Sequence, residues 1–181
     1  MTIEEARTLI GRLPLSAGPQ RWVDLGCGGG TFTLALAELL PAGSSILAWD
    51  MNAFALRHIP DTHNGVRITT QQADFLRAPL PTSLDGIVMA NALHFVKDQG
   101  ILLSATNKAL AEQGSLLLVE YDTDVPVHTW VPFPVSFQRS IALLPQHGYS
   151  VPERLGARPS AYDRGDLYAA FARRVASSNP R

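Results

Sequence analysis

Short apolar runs alternate with stretches of helical period from one end of the chain to the other, the pattern of a doubly wound parallel sheet. Thr2 and Glu5 have capping-box spacing ahead of a short helix reaching about Arg12. Residues 21–25 read as the first strand and Thr31–Leu40 as the first main helix, closed by Pro41 and Gly43. Ser45–Trp49 is a second strand ending in Asp50, followed by a helix over about Asn52–Ile59 that Pro60 stops. Val66–Gln72 makes a third strand ending near Asp74, and Asp85–Ala90 a fourth, apolar enough for a central place. Asp98 stands where it caps a helix running to Glu112, with Gly114 as its C-terminal glycine. Ser115–Tyr121 is the fifth strand. A helix over about Ser136–Gln146 ends at Gly148, with Pro145 tightening or kinking its last turn. Two weaker strand patterns, near Arg154–Pro159 and Leu167–Arg174, bring the total to seven. The expectation is an α/β Rossmann-like fold, a seven-stranded, mostly parallel sheet with helices on both faces. It forms a single domain over residues 1–181, in which 1–20 are a short N-terminal helix and lead-in.

Composition narrows the function classes. A chain of 181 residues with 46% apolar content supports one domain with a real core. A net charge of −1 predicts no broad basic surface and weighs against nucleic acid as the main partner. The single cysteine, Cys27, excludes disulfides within one chain and a cysteine-based zinc site, and no metal is expected. Glu4 and Glu5 stand where a secretory leader carries positive charge, and no apolar run reaches membrane-spanning length, so the expectation is a cytosolic protein.

The chemistry concentrates at residues 22–32, Trp-Val-Asp-Leu-Gly-Cys-Gly-Gly-Gly-Thr-Phe, where a strand runs into a glycine-rich turn and then a helix. Gly26, Gly28, Gly29 and Gly30 allow positive φ and direct contact of a ligand with the backbone. A ligand-free turn needs only one or two glycines. The dinucleotide fingerprint is G-x-G-x-x-G, whereas here Thr31 takes the place of the third glycine, and no Walker lysine follows. A nicotinamide-dependent oxidoreductase is therefore the weaker reading.

With the landmarks that follow, the chain resembles the class I S-adenosylmethionine-dependent methyltransferases from Arg21 to Val175. Val23-Asp24-Leu25-Gly26-Cys27-Gly28-Gly29-Gly30 is similar to that family's first motif, which implies that Asp24, Gly26, Cys27, Gly28 and Gly30 cradle the methionine part of the cofactor. The resemblance further implies that Asp50 accepts hydrogen bonds from the ribose hydroxyls, with Met51 against the adenine. Asp74 would then receive the adenine amino group, and Phe75 would cover the ring. Ala90-Asn91-Ala92-Leu93-His94-Phe95 is similar to the segment beside the reactive methyl group and brings Asn91 into the cofactor set. Asp50 and Asp74 taken singly also read as turn or N-cap residues. Their joint placement at successive strand ends is what favours a ligand site.

Methyl transfer from a sulfonium is an in-line displacement that needs alignment and exclusion of water more than a covalent group. His94 is the first candidate for a general base, because imidazole exchanges protons near neutrality; the competing reading is a packing histidine beside the cofactor. Asn91-Ala92-Leu93-His94 is not the Asn/Asp-Pro-Pro-aromatic motif of amino-group methylating relatives. Cytosine C5 chemistry lacks its cysteine, since Cys27 lies in the glycine loop. The uncharged stretch Val125–Phe137, with His128, Trp130 and Phe133, reads either as an apolar wall of the substrate cleft or as a loop or dimer contact. Glu120, Asp122 and Asp124 alternate and would share a face if extended, holding an amine, accepting a proton or ending a solvated strand. Tyr121 and Tyr162 have no distinguishing context. The expected function is methylation of a small, partly apolar molecule. A homodimer or partner protein over an open cleft, and a cofactor-binding regulatory subunit, stand as alternatives.

Overall fold

The computed structural model describes residues 1–159 and 165–175; Tyr162 lies outside them. Among the described residues there are five α-helices: α1 (Ile3–Ile10), α2 (Thr31–Ala37), α3 (Ala53–Leu56), α4 (Gln99–Ala109) and α5 (Phe137–Leu143). The strands are β1 (Arg21–Leu25), β2 (Ser45–Asp50), β3 (Thr62–His63), β4 (Val66–Gln72), β5 (Leu84–Ala90), β6 (Leu110–Tyr121), β7 (Glu153–Pro159) and β8 (Asp166–Arg173). They form one sheet in the order β3-β4-β2-β1-β5-β6-β8-β7. β4, β2, β1, β5 and β6 run parallel, while β8 is antiparallel to both β6 and β7. The Rossmann-like α/β expectation holds, with eight strands in place of seven. The additional strand, β3, is a two-residue antiparallel edge piece pairing Thr62 with Arg67 and His63 with Val66. Nothing in so short a polar segment carries an alternating signal, so its pairing follows from the turn at Asn64 and Gly65, both at positive φ.

Strand pleating sends alternate side chains to opposite faces, and the two core clusters follow that alternation. Trp22, Ile46, Val88, Leu117 and Val119 belong to the face covered by α1 and α2. Val23, Leu25, Met89, Leu116 and Leu118 belong to the other, with Leu102 and Leu103 of α4. On the first face the Trp22 ring lies so close over β5 that a Cβ at Gly86 would sit 2.4 Å from it. By parity along β1, Asp24 faces α2. By parity along β6, Glu120 faces the α4 side.

Several boundaries differ from the sequence reading. α2 and α3 are shorter than expected, and Asn52 caps α3 by accepting from the Phe54 and Ala55 amides. α4 stops at Ala109 because Leu110 is already extended (ψ 147°) and pairs with Leu84. The register then slips, and Ser115 pairs with Gly86. Gly114 therefore serves a bulge within β6 and does not close a helix; a Cβ there would meet the Leu84 carbonyl at 2.7 Å. Asp98 occupies the N-cap of α4 without a capping bond from its side chain. The capping box of Thr2 and Glu5 is formed as expected, and Pro145 tightens the end of α5 into a 3₁₀ turn over Leu144–His147 that closes on Gly148. Among the described residues no helix is long and apolar enough to cross a membrane.

The strand order reverses direction at β1, whose two neighbours are β2 and β5. Open α/β sheets bind ligands outside the carboxyl ends of the strands at such a switch point.

Candidate active site

The glycine loop begins where β1 ends. Gly26 (φ +79°) and Cys27 both donate their amides to the Trp49 carbonyl, at 2.8 and 3.0 Å, which pins the loop to the end of β2. The Gly28 amide donates to Asp50 Oδ2 at 2.8 Å, and the Asn52 amide to Asp50 Oδ1 at 2.8 Å. Gly30 (φ +84°) then turns the chain into α2, with its amide bonded to the Cys27 carbonyl at 2.9 Å. A Cβ at Gly28 (φ +52°) or at Gly29 would meet nothing within 4 Å. Those two positions form an open backbone cradle that side chains would fill.

Gly26 is where three loops converge. A Cβ placed on it would lie 2.9 Å from Ala92 Cβ and 3.5 Å from the Phe75 ring, so the turns after β1, β4 and β5 touch at this residue. Phe75 thus comes together with the cradle, while the carboxylate of the preceding Asp74 is engaged in its own turn. Its Oδ1 accepts from the Leu76 amide at 2.9 Å and its Oδ2 pairs with Arg77 Nε at 3.3 Å. Met51 follows Asp50 and is 67% exposed. Asn91 has positive φ (53°), and its buried Oδ1 has no hydrogen-bond partner. A non-glycine residue in this backbone region is strained, and such strain concentrates at functional sites.

Asp24 and Cys27 lie beneath the loop. Asp24 is fully buried; its Oδ2 accepts from Thr33 Oγ1 at 2.6 Å and its Oδ1 has no partner. Burial, followed by the nearby Asp50 carboxylate, pushes its acid up to about 7 against the hydrogen bond from Thr33. The Cys27 thiol is pushed far up, first by burial and then by the Asp24 and Asp50 carboxylates, so it stays a neutral, unreactive thiol.

His94 sits in the 3₁₀ turn Leu93–Phe95 that follows β5. Its Nδ1 is 2.5 Å from Glu120 Oε2, and its amide donates to Glu120 Oε1 at 3.2 Å. Both side chains are buried, at 1% and 0% exposure. The sequence offered Glu120 only as one of three alternating acids, and its pairing with His94 is what the structure adds. Alternation with Asp122 and Asp124 suggested one shared acidic set, and the structure divides it. Asp122 instead accepts from the Phe137 amide and pairs with Arg154, and Asp124 is exposed. The available signal was a single acid ending the wholly apolar run Leu116–Val119, because a carboxylate buried there demands a partner.

The 125–137 segment crosses over this pair. The Phe133 amide donates to the His94 carbonyl at 2.9 Å, and Gln99 Nε2 donates to the Phe133 carbonyl at 2.8 Å. A bridge between Val127 and Val131 folds its tip into a small hairpin that leaves His128 exposed and Trp130 60% exposed. A cavity of about 580 Å³ flanks the cradle and does not contain it. It lies between residues 75–82 and α4, and of the candidate residues it takes only Phe75.

Fold and site together define an α/β domain built to hold a nucleotide-type cofactor at the carboxyl ends of its central strands. Residues 23–114 match the family described as a methyltransferase domain, and the chain belongs to this family, the class I S-adenosylmethionine-dependent methyltransferases. No curated protein sequence matches the chain. Among solved structures it is similar to mitomycin 7-O-methyltransferase, with 21% identity and a TM-score of 0.71 over 96% of this chain and 54% of that one. It is similar to human N-acetylserotonin methyltransferase in complex with S-adenosylmethionine, with 22% identity and a TM-score of 0.71 over 94% and 52%. The arsenic(III) S-adenosylmethionine methyltransferase of Chlamydomonas reinhardtii gives 18% identity and a TM-score of 0.68 over 99% and 75%. At these identities the likeness establishes the fold. The chain spans about half the length of the first two of these proteins.

Proposed function

We propose that this chain transfers a methyl group from S-adenosylmethionine to a small, partly apolar molecule, with His94 as the proton acceptor and Glu120 as its positioning residue. The observation that carries the reading is the buried contact of 2.5 Å between His94 Nδ1 and Glu120 Oε2. A neutral imidazole donating from Nδ1 to Glu120 would keep on Nε2 the lone pair that a general base requires.

The residues present fit the cofactor. The open backbone at Gly28 and Gly29, the unpartnered Oδ1 of Asn91 and the Asp50 carboxylate at the end of β2 surround one place on the sheet. When bound, the cofactor supplies an electrophilic methyl group on a sulfonium. Asp50 would hold the ribose hydroxyls, and Met51, Asp74 and Phe75 the adenine. Gly26, Cys27, Gly28 and Gly30 would meet the methionine portion through their backbone, with Asp24 below them. Phe95, 55% exposed with its ring tilted at 50° to the His94 ring and 4.3 Å from it, and the apolar 125–137 segment give the acceptor side its partly apolar character.

A second reading, a cofactor-binding subunit without turnover of its own, draws on one observation: at 1% exposure His94 reaches an acceptor only if the segment over it shifts. A second copy or a partner protein covering the exposed Met51 and Phe95 would complete either version, and sedimentation of the purified chain measures that state. Screening a metabolite extract for S-adenosylhomocysteine formation separates the two readings. Turnover supports the enzyme, and binding without turnover, even with partner-containing lysate, supports the subunit.

A further inference from the structure

Asp24 takes no part in proton transfer at His94, which lies on the other side of the sheet. Its side chain is 0% exposed, and its register neighbours on β2 and β5 are the apolar Ala48 and Val88. The titratable groups facing it are Asp50 from the end of β2 and the Cys27 thiol of the loop; α2 contributes only the Thr33 hydroxyl. Among the described residues an ionised Asp24 would have one hydrogen bond, no cation and a second carboxylate nearby, a setting that favours the neutral acid. The 2.6 Å contact with Thr33 serves both states. The ionised carboxylate accepts from the hydroxyl, and a carboxyl protonated on Oδ2 donates to Thr33 Oγ1. A proton can therefore leave and return without rearrangement of the side chain.

The inference rests on the reading of the glycine loop as the S-adenosylmethionine cradle. That cofactor has a net positive charge, and its demethylated product has none, because the sulfonium has become a thioether. A positive charge entering above Asp24 acts through protein interior, where unit charges interact far more strongly than across water. We propose that Asp24 holds a proton in the free protein and releases it to solvent when the sulfonium donor binds, so that the cradle favours the charged donor over its neutral product.

Titration calorimetry of the full chain at about pH 6, in buffers of different ionisation enthalpy, counts the protons released on binding. Wild type should release a large fraction of a proton with S-adenosylmethionine and much less with S-adenosylhomocysteine. The difference should vanish in Asp24→Asn. The wild-type affinity for the donor should also weaken toward tenfold per unit as the pH falls below about 7. Binding without proton release, or equal release from Asp24→Asn, overturns the proposal and leaves the cradle assignment standing. Binding of neither compound overturns the cradle assignment itself. If Asp24→Asn does not fold, infrared difference spectra of the wild type decide. A protonated-carboxyl C=O band should disappear on adding S-adenosylmethionine but not S-adenosylhomocysteine, and an unchanged band contradicts the proposal.

Discussion

Glu120 grips residue 94 twice, taking the His94 ring at 2.5 Å with one carboxylate oxygen and the His94 backbone amide at 3.2 Å with the other. The first contact fixes the ring's orientation. The second fixes the turn after β5 that carries it. Because both side chains are buried, removing either leaves an uncompensated polar group inside the protein. Glu120→Ala should therefore cost about 3–5 kcal/mol of stability, measured by denaturant unfolding.

The catalytic role proposed for His94 is tested separately from that structural one. His94→Asn should lower kcat by about 10²–10⁴ while KM changes little, since a general base acts in the transition state. The fold should be checked by circular dichroism, and cofactor affinity by calorimetry. A folded variant that keeps full kcat would reduce His94 to a packing residue.

The cradle makes contrasting demands on two of its glycines. At Gly28 a methyl group meets no protein atom, so Gly28→Ala should cost stability only through its positive φ, about 1 kcal/mol, yet weaken S-adenosylmethionine binding by intruding on the ligand's space. At Gly26 the added Cβ lies 2.9 Å from Ala92 Cβ, so Gly26→Ala should lower the melting temperature further. Thermal shift with and without the cofactor distinguishes the two.

Asp50 holds the loop and, on this account, the ribose. Asp50→Ala should weaken S-adenosylmethionine affinity by ~1–3 kcal/mol through the lost hydrogen bonds. Unchanged affinity in calorimetry would show that the end of β2 is not the ribose site.

Asp24 makes stability depend on pH with a definite sign. Its folded value, about 7, lies above its ordinary 3.8, so between those values the folded chain holds a proton that the unfolded chain has lost. Its contribution is fully present below about pH 4 and is lost as the pH rises through about 7, on the order of 4 kcal/mol at most. Asp24→Asn should flatten this decline in unfolding experiments across the same window. An identical pH dependence in variant and wild type would exclude Asp24 as its source.

The sequence made the fold legible because each strand ends in punctuation, as at Leu25-Gly26, Trp49-Asp50 and Ala90-Asn91. What it hid depended on contacts distant in the chain. β3 has no pattern of its own and exists through its pairing with β4. The break at Leu110 depends on Leu84 and Gly86 across the sheet, whereas local sequence favours continuing the helix to Glu112. Of the candidate residues, the glycines, Asp50 and Phe75 meet around one loop because strand ends converge there. The pairing of Glu120 with His94 escaped because the two are 26 residues apart and the alternation of Glu120 with Asp122 imitated a solvated edge. Whether Asp24 faces solvent or lies sealed under the loop also depends on α2, which no spacing along β1 reveals.

The most direct measurement follows a labelled methyl group from S-adenosylmethionine into a metabolite extract while S-adenosylhomocysteine is quantified in parallel. The account predicts labelled product and S-adenosylhomocysteine in equal amounts, both suppressed in His94→Asn. A wild-type chain that binds the cofactor but yields neither, alone or with partner-containing lysate, would contradict it.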